Sequence, residues 1–202
     1  SLRRRHPDAT PEELITIIRR HYLTLTTSGG AAVGATAAVP GLGTTAALGV
    51  ASVETAGFLE GTALFAQAIA EIHGLPVADA KRANALVLGL MLGKDGKNLI
   101  QKFGKQNGGV ESMFGSWGAT VTKQLPAPLV DLLVRKLRKT FIRKFAARAG
   151  GSLVGRLLPF GVGAVIGAVV NAQMARKVAG ESKEAFGAAP TVFPIETDPE
   201  YV

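Results

Sequence analysis

The chain has 202 residues, no cysteine and a formal net charge of +8. This length suits one compact domain with a sizeable core, and the missing cysteines exclude a disulfide framework and a thiolate metal site. Only 19% of the residues are charged, against about 25% in typical domains. The mean hydropathy of +0.25 is high for a soluble protein, so part of the apolar surface is expected to face a partner or a membrane.

The charges are unevenly distributed along the chain. Residues 28–76 contain three glutamates and no lysine or arginine, whereas residues 113–149 carry eight basic residues and one acid, Asp131. After residue 186 all charged residues are acidic. This segregation predicts a negatively charged partner near the basic block, either anionic lipid or nucleic acid.

The first helix is predicted to begin after Thr10, because Thr10 and Glu13 have the spacing of a capping box. The sequence Pro-Gly-Leu-Gly at 40–43 is expected to end this helix. A long helix over Thr44–His73 follows, with Gly74 as its left-handed stop.

The rest of the chain is predicted to be helical apart from one loop and the two ends. Periodicity and helix-breaking residues give these elements: a helix over Val77–Leu92, a short helix from Asp95 through Phe103, a loop over Lys105–Gly118, a basic helix from Pro128 to about Arg148 that Gly150 and Gly151 end, and a last helical region over Leu153–Phe186 that bends at Pro159. As domains, residues 1–9 are expected to be a truncated or flexible segment, residues 10–187 a single helical domain and residues 188–202 a disordered acidic tail.

Two segments that precede long helices resemble each other. Residues 39–43 are Val-Pro-Gly-Leu-Gly, and residues 158–163 are Leu-Pro-Phe-Gly-Val-Gly, with one residue inserted. The likeness suggests paired helical hairpins. We therefore predict an all-α fold in which glycine- and alanine-rich helical hairpins pack as a bundle, with the basic amphipathic helix outside.

The segment Leu157–Gly180 begins like a membrane span. Residues 157–170 are apolar, but crossing a bilayer takes about 20 such residues, and Asn171 follows directly. Gly163 and Gly167 form a GxxxG pair, which lets a second helix approach closely. We predict a helix–helix seam with Asn171 as its polar bridge, in preference to a shallow hairpin or a span.

Glu54 lies on the apolar stripe of the second long helix. A lone carboxylate on a buried stripe is destabilising unless it is paired or protonated. The first interpretation is a structural group, an ion-pair partner or an acceptor of N–H bonds. The second is a catalytic or ligand-binding acid, for which the sequence shows no second residue.

The basic helix has an apolar stripe, Val130, Leu133, Val134, Leu137, Phe141 and Phe145. Five cations lie largely opposite this stripe: Arg135, Lys136, Arg138, Lys139 and Arg143. This pattern is typical of an interfacial helix on anionic lipid, with its apolar face down. It is equally typical of a core helix with a solvated outer face.

Motifs of known enzyme classes do not occur in the sequence. His6, His21 and His73 lack metal-ligand spacing, and there is neither a phosphate-binding loop nor a Gly-x-Ser-x-Gly turn. We predict no metal and no cofactor, and favour a protein that is not an enzyme. Nucleic acid is a weaker candidate than lipid, because stacking aromatics and a binding motif are missing.

The sequence LLPFGVGAVIGAVVNAQMARKV resembles the C-terminal signature of the EcsC family, an Ile/Leu-Pro-x-x-Gly-Ala-x-x-Gly pattern followed by Asn and a later Phe. The matching positions are Pro159, Gly163, Ala164, Gly167, Asn171 and Phe186. VPGLGTTAALGVASVETAGFL and AIAEIHG resemble the N-terminal half of the family, with Glu54 at an acidic position and His73 where a tyrosine is common. The resemblance covers most of Leu14 to Gly187, with one residue inserted after Pro159.

The resemblance implies a cytoplasmic, membrane-associated helical protein, because the family is named for the operon partner of a bacterial ABC-type exporter. It supplies no catalytic residues. We therefore predict a module peripheral to the inner face of the membrane, accessory to transport or envelope processes, that binds anionic lipid through the basic helix and has a membrane protein or transporter as a further partner. The alternatives are a soluble helical binding scaffold and an enzyme that uses Glu54. The sequence does not indicate an oligomeric state.

Overall fold

The computed structural model describes residues 2–37, 44–108, 116–152 and 162–194. Within these ranges it describes the side chains except at 29–37, 44–55, 108, 145–152 and 162–170. Every regular element in these ranges is helical, so the fold is all-α as predicted. The helices are, in chain order, α1 (Leu2–Arg5), α2 (Pro11–Ala37), α3 (Thr44–Ile72), α4 (Ala80–Leu92), α5 (Lys94–Gly108), α6 (Trp117–Ala119), a π-helical turn (Thr120–Gln124), α7 (Ala127–Ser152) and α8 (Val162–Phe186).

The predicted capping box at the start of α2 is confirmed. The main-chain N–H of Thr10 donates to Glu13 Oε2 at 2.8 Å, and the N–H of Glu13 donates to Thr10 Oγ1 at 3.3 Å. The hydrogen bonds from the Thr10 main chain and hydroxyl lower the pKa of Glu13. At the end of α3, Gly74 has the predicted left-handed conformation, with φ of +66°. Both signals are local, which is why the sequence reveals them.

Helix α4 begins three residues later than predicted, because Asp79 caps it. The Asp79 carboxylate accepts the N–H groups of Lys81 and Arg82, each at 2.9 Å. These bonds, the one from Arg82 foremost, lower the pKa of Asp79. The Arg82 guanidinium also donates to the carbonyls of Val121 at 2.5 Å and Leu125 at 2.7 Å. One side chain thus joins the start of α4 to the π-helical turn.

Helix α4 occupies the centre of the bundle. It packs against α3, α5, α7 and α8, and Ala85, Leu86 and Leu90 have no exposed surface. Its buried residues occur all around the helix, as expected for a helix covered on several sides. The outer layer contains α2, which packs mainly on α8 and α3.

One of the two predicted hairpins is seen among the described helices. Helices α2 and α3 do pack against each other as a hairpin. In the described ranges, however, α7 packs mainly on α4, and α8 packs mainly on α2. The parts of α7 and α8 next to their connection, residues 145–152 and 162–170, lie outside the described side chains, so the second hairpin stays a prediction. Residues 39–43, residues 158–161 and the predicted bend at Pro159 lie outside the described residues.

The predicted loop over Lys105–Gly118 is wrong at both ends. Helix α5 continues to Gly108, and Trp117 lies in α6 with only 2% of its surface exposed. Helix α7 likewise continues through Gly150 and Gly151 to Ser152. In both places glycine is tolerated within a helix, since its cost of about 1 kcal/mol can be offset by packing.

Residues 2–9 and 188–194, which belong to the predicted flexible start and disordered tail, contact the helical core and each other. Leu2 packs against the core, and the Arg3 guanidinium lies 4.2 Å from the centroid of the Phe193 ring. Phe193 is itself partly buried against the core. Pro194 lies so close to Gly74 that a Cβ there would be 2.8 Å from the Pro194 Cγ atom. A cation–π contact and apolar burial hold the two ends of the described chain together.

A buried hydrogen bond joins α2 to α3. The hydroxyl oxygens of Tyr22 and Thr62 are 2.9 Å apart, and the Thr62 hydroxyl donates its single proton to the Phe58 carbonyl at 2.8 Å. Tyr22 must therefore be the donor to Thr62. The Tyr22 ring also stacks on Phe65, with centroids 4.5 Å apart.

The substitution Tyr22→Phe should lower the free energy of unfolding by about 1 kcal/mol at neutral pH, because it removes this bond. Burial raises the pKa of Tyr22. The stabilisation by the neutral phenol is therefore complete below an unfolded-state pKa of about 10, and is lost as pH rises through the folded-state pKa. Urea unfolding monitored by the fluorescence of Trp117 should show the difference between parent and variant shrinking at alkaline pH. A difference that stays constant from neutral to alkaline pH would contradict this account.

Candidate functional site

The outer surface of α7 carries five exposed cations, which we call the basic face: Arg135, Lys136, Arg138, Lys139 and Arg143. At about 100° per residue these side chains span about 160° of the helix circumference. Leu132 and Ile142 lie within the same arc, and they are 47% and 55% exposed. The face therefore combines positive charge with two apolar side chains that meet solvent.

The opposite side of α7 is fixed in the core. Val130, Leu133 and Leu137 are at most 1% exposed, because α7 packs against α4 and α5. The interfacial arrangement with this apolar stripe against lipid is therefore wrong, and the core-helix alternative describes the stripe correctly. The side chain of Phe145 lies outside the described residues. In the described part of α7, the basic face is the side of the helix that is open to a partner.

The acids near α7 are bound by other cations. Asp131 pairs with Lys81 at 2.8 Å, and Asp95 pairs with Lys144. Among the described side chains, no member of the basic face forms a salt bridge. The Lys136 ammonium lies 4.9 Å from the centroid of the Phe103 ring, a cation–π contact that holds it at the edge of the face.

The surface of the basic face is slightly concave. Ile142 and four of the cations line a shallow depression: Arg135, Arg138, Lys139 and Arg143. Arginine side chains can donate several hydrogen bonds in a fixed plane, which suits phosphate oxygens, and lysines attract them as point charges. This arrangement can bind several phosphate groups side by side, with an apolar centre.

The other predicted residues do not join the basic face. Glu54 lies in α3, and Gly163 and Gly167 lie in α8, but their surroundings are outside the described side chains. Asn171 is partly buried on α8 and is engaged with a neighbouring group. Helix α8 packs chiefly on α2, and the predicted seam at Gly163 and Gly167 lies outside the described side chains. The bridging role of the Asn171 amide stays a prediction.

A second concave site, which we call the cleft, lies between α2, α3 and α8. It has a volume of about 490 Å³ and shares no residue with the basic face. Its apolar wall contains Ile15, Phe65, Ile69 and Ala179, and its charged rim contains Glu12, Arg19 and Lys183. His73 and Ser182 also line it.

The sequence did not predict the cleft or the exposed apolar residues of the basic face. Leu132 and Ile142 are visible as apolar positions on the charged side of the helical repeat, so periodicity could have revealed them. The cleft combines residues from three helices separated by more than 160 positions, and only the tertiary packing brings them together.

Two features are absent from the described residues. No cluster of three or more metal-binding side chains occurs there. Within the same part of the chain, no helix combines the length and the apolar character needed to cross a membrane.

No protein-family model, curated protein or solved structure matches this sequence.

Proposed function

We propose that this protein docks on anionic membrane surfaces through the basic face of α7. The observation that supports the proposal most strongly is the placement of five exposed cations around Leu132 and Ile142, on a helix whose other side is held in the core. A rigid helix presents these groups together, so little conformational entropy is lost when they bind. The contact differs from that of a free amphipathic helix, because the charged side faces the membrane.

The expected strength follows from the number of cations. A basic residue near an anionic leaflet contributes about 1 kcal/mol, so the five members of the basic face contribute about 5 kcal/mol together. Leu132 and Ile142 add apolar area that can enter the head-group region. This is enough for reversible attachment and far from permanent insertion. Salt weakens it, because the Debye length is about 8 Å at physiological ionic strength.

The likeness to the EcsC family supports a cytoplasmic location at the inner face of the membrane. Under this proposal the protein is an accessory module for transport or envelope processes, and a membrane protein or transporter is a further partner. The residues of the likeness, among them Pro159, Gly163 and Asn171, lie outside α7. The family and the lipid contact are therefore separate parts of the proposal.

Two other partners are less well supported. Single-stranded nucleic acid is usually held by aromatic stacking as well as by charge, and no Phe, Tyr or Trp is strongly exposed in the described part of the chain. A soluble acidic protein could use the same cations, as a binding scaffold would. It would leave unexplained why Leu132 and Ile142 stand exposed among them.

Flotation with lipid vesicles tests the proposal. The protein should float with vesicles of equimolar phosphatidylglycerol and phosphatidylcholine, and not with vesicles of phosphatidylcholine alone. Raising the salt from about 50 mM to about 500 mM should release it, because the contact is screened. Absence of flotation at low salt, or equal flotation with both kinds of vesicle, would overturn the proposal and favour the soluble scaffold.

A further inference from the structure

We propose that the cleft between α2, α3 and α8 binds a small amphipathic anion, a single anionic group on a short hydrocarbon chain. The cleft has a volume of about 490 Å³, within the range of about 300–1,000 Å³ typical of small-molecule sites. This site is independent of the basic face, with which it shares no residue.

The wall of the cleft favours a ligand with an apolar hydrocarbon chain. Phe65, Ile69 and Ala179 are at most 3% exposed, and Ala179 is small where a larger side chain would fill the space. The two polar groups on the wall use their donors on the main chain. The Ser182 hydroxyl donates to the Ala179 carbonyl at 2.9 Å, and His73 Nδ1 donates to the Ile69 carbonyl at 2.8 Å. The wall therefore offers apolar contacts to a hydrocarbon chain, and in the described part of the chain Nε2 of His73 is a buried polar atom without a hydrogen-bond partner.

The rim of the cleft selects a negative head group. Arg19 and Lys183 are exposed, and neither forms a salt bridge with another described residue. They are free to bind a carboxylate or a phosphate, with the guanidinium able to do so through two hydrogen bonds.

Glu12 is the acid on this rim. Its position allows the preference of the cleft for an anionic head group to be tested. Glu12, Ile15, Thr16 and Arg19 share one face of α2, since they are spaced by three and four residues. Glu12 and Arg19 are separated by about 10 Å along the helix axis. An anionic head group at Arg19 would be repelled weakly by Glu12, and a cationic head group would be attracted to it. Removing the Glu12 charge should therefore tighten the binding of an anion.

Isothermal titration of the full chain with sodium octanoate tests the proposal, with octylamine, octan-1-ol and acetate as comparisons. Octanoate should bind at one saturable site and more tightly than the other three, which lack the anion or the chain. The double variant Arg19→Gln/Lys183→Gln should weaken octanoate binding at least tenfold, and Glu12→Gln should strengthen it at least twofold.

The matched control is Arg20→Gln/Arg176→Gln, which removes two exposed cations from the same helices outside the cleft. It should change octanoate affinity less than twofold, as should glutamine at the five positions of the basic face. The proposal is overturned by an absence of saturable octanoate binding, by equal losses in the two double variants, or by octylamine, octan-1-ol or acetate binding as tightly as octanoate. The two double variants should melt within a few degrees of the parent, because all four side chains are exposed.

Discussion

Replacement of the five cations of the basic face by glutamine is expected to weaken binding to anionic vesicles by more than three orders of magnitude. Five contributions of about 1 kcal/mol sum to about 5 kcal/mol, and about 1.4 kcal/mol corresponds to a factor of ten in affinity. The free energy of unfolding should change by about 1 kcal/mol or less. The side chains are exposed, and only Lys136 has a described contact that glutamine would remove, the one with Phe103.

A variant of equal charge provides the control for this experiment. Glutamine at five exposed cations on other elements lowers the net charge by the same amount: Arg5, Arg20, Lys105, Lys123 and Arg176. These cations are distributed over five elements, so they do not form the face of one helix. The control should lose less than tenfold in vesicle affinity. Equal losses in both variants would show that net charge, and not the basic face, determines attachment.

The substitution Gly96→Ala should lower the free energy of unfolding by about 2 kcal/mol. A Cβ at Gly96 would lie 2.9 Å from the Cα of Gly89, and closer still to the Gly89 carbonyl oxygen. These are main-chain atoms of α4, so no rotation of a side chain can relieve the overlap, and α4 and α5 must separate. Overpacking of this kind typically costs about 1–3 kcal/mol. The higher helix propensity of alanine stabilises the folded state by about 1 kcal/mol at most, which offsets part of this cost.

Gly180→Ala is the matched control, since it makes the same chemical change within a helix. No atom lies within 4 Å of a Cβ placed at Gly180. The free energy of unfolding of the Gly180→Ala variant should equal that of the parent or exceed it by up to about 1 kcal/mol, because alanine favours the helix. Urea unfolding followed by far-UV circular dichroism measures both variants. If Gly96→Ala is as stable as Gly180→Ala, the close crossing of α4 and α5 is wrong.

The parts of the fold that the sequence predicted depend on local interactions. The Thr10 capping box and the left-handed Gly74 each involve residues within four positions of one another. The start of α4 could have been predicted by the same reasoning, because Asp79 has the position and residue type of an N-cap. The predicted start at Val77 lies outside the helix.

The parts that the sequence did not predict depend on contacts between distant residues. Trp117 and its flanking glycines suggest a loop, but the indole is buried against the glycine of α4, where a Cβ at Gly89 would be 2.9 Å from the ring. The contact of Phe193 with Arg3 joins residues at opposite ends of the chain. Neither helix propensity nor hydrophobic periodicity contains information on such pairs. The composition of these segments therefore suggested a loop and a disordered tail.

The candidate sites also differ in whether they depend on one segment or on contacts between distant residues. The cations of the basic face belong to one helix, and its period was enough to place them on one side. Which side of α7 meets the core could not be decided from α7 alone, because that depends on α4. The cleft needs α2, α3 and α8 together, so no single segment indicates it.

The central claim is that the basic face itself touches the membrane, and fluorescence of a single labelled position tests it most directly. The chain has no cysteine, so Ile142→Cys provides one attachment point for a dye whose emission reports local polarity. Leu64→Cys on α3 is the matched control, because Leu64 is an exposed apolar residue too, at 61% exposure against 55% for Ile142. On addition of phosphatidylglycerol vesicles, emission from position 142 should shift to the blue and increase, and emission from position 64 should not change. A shift at position 64 alone, or at neither position while the protein floats with the vesicles, would contradict docking through the basic face.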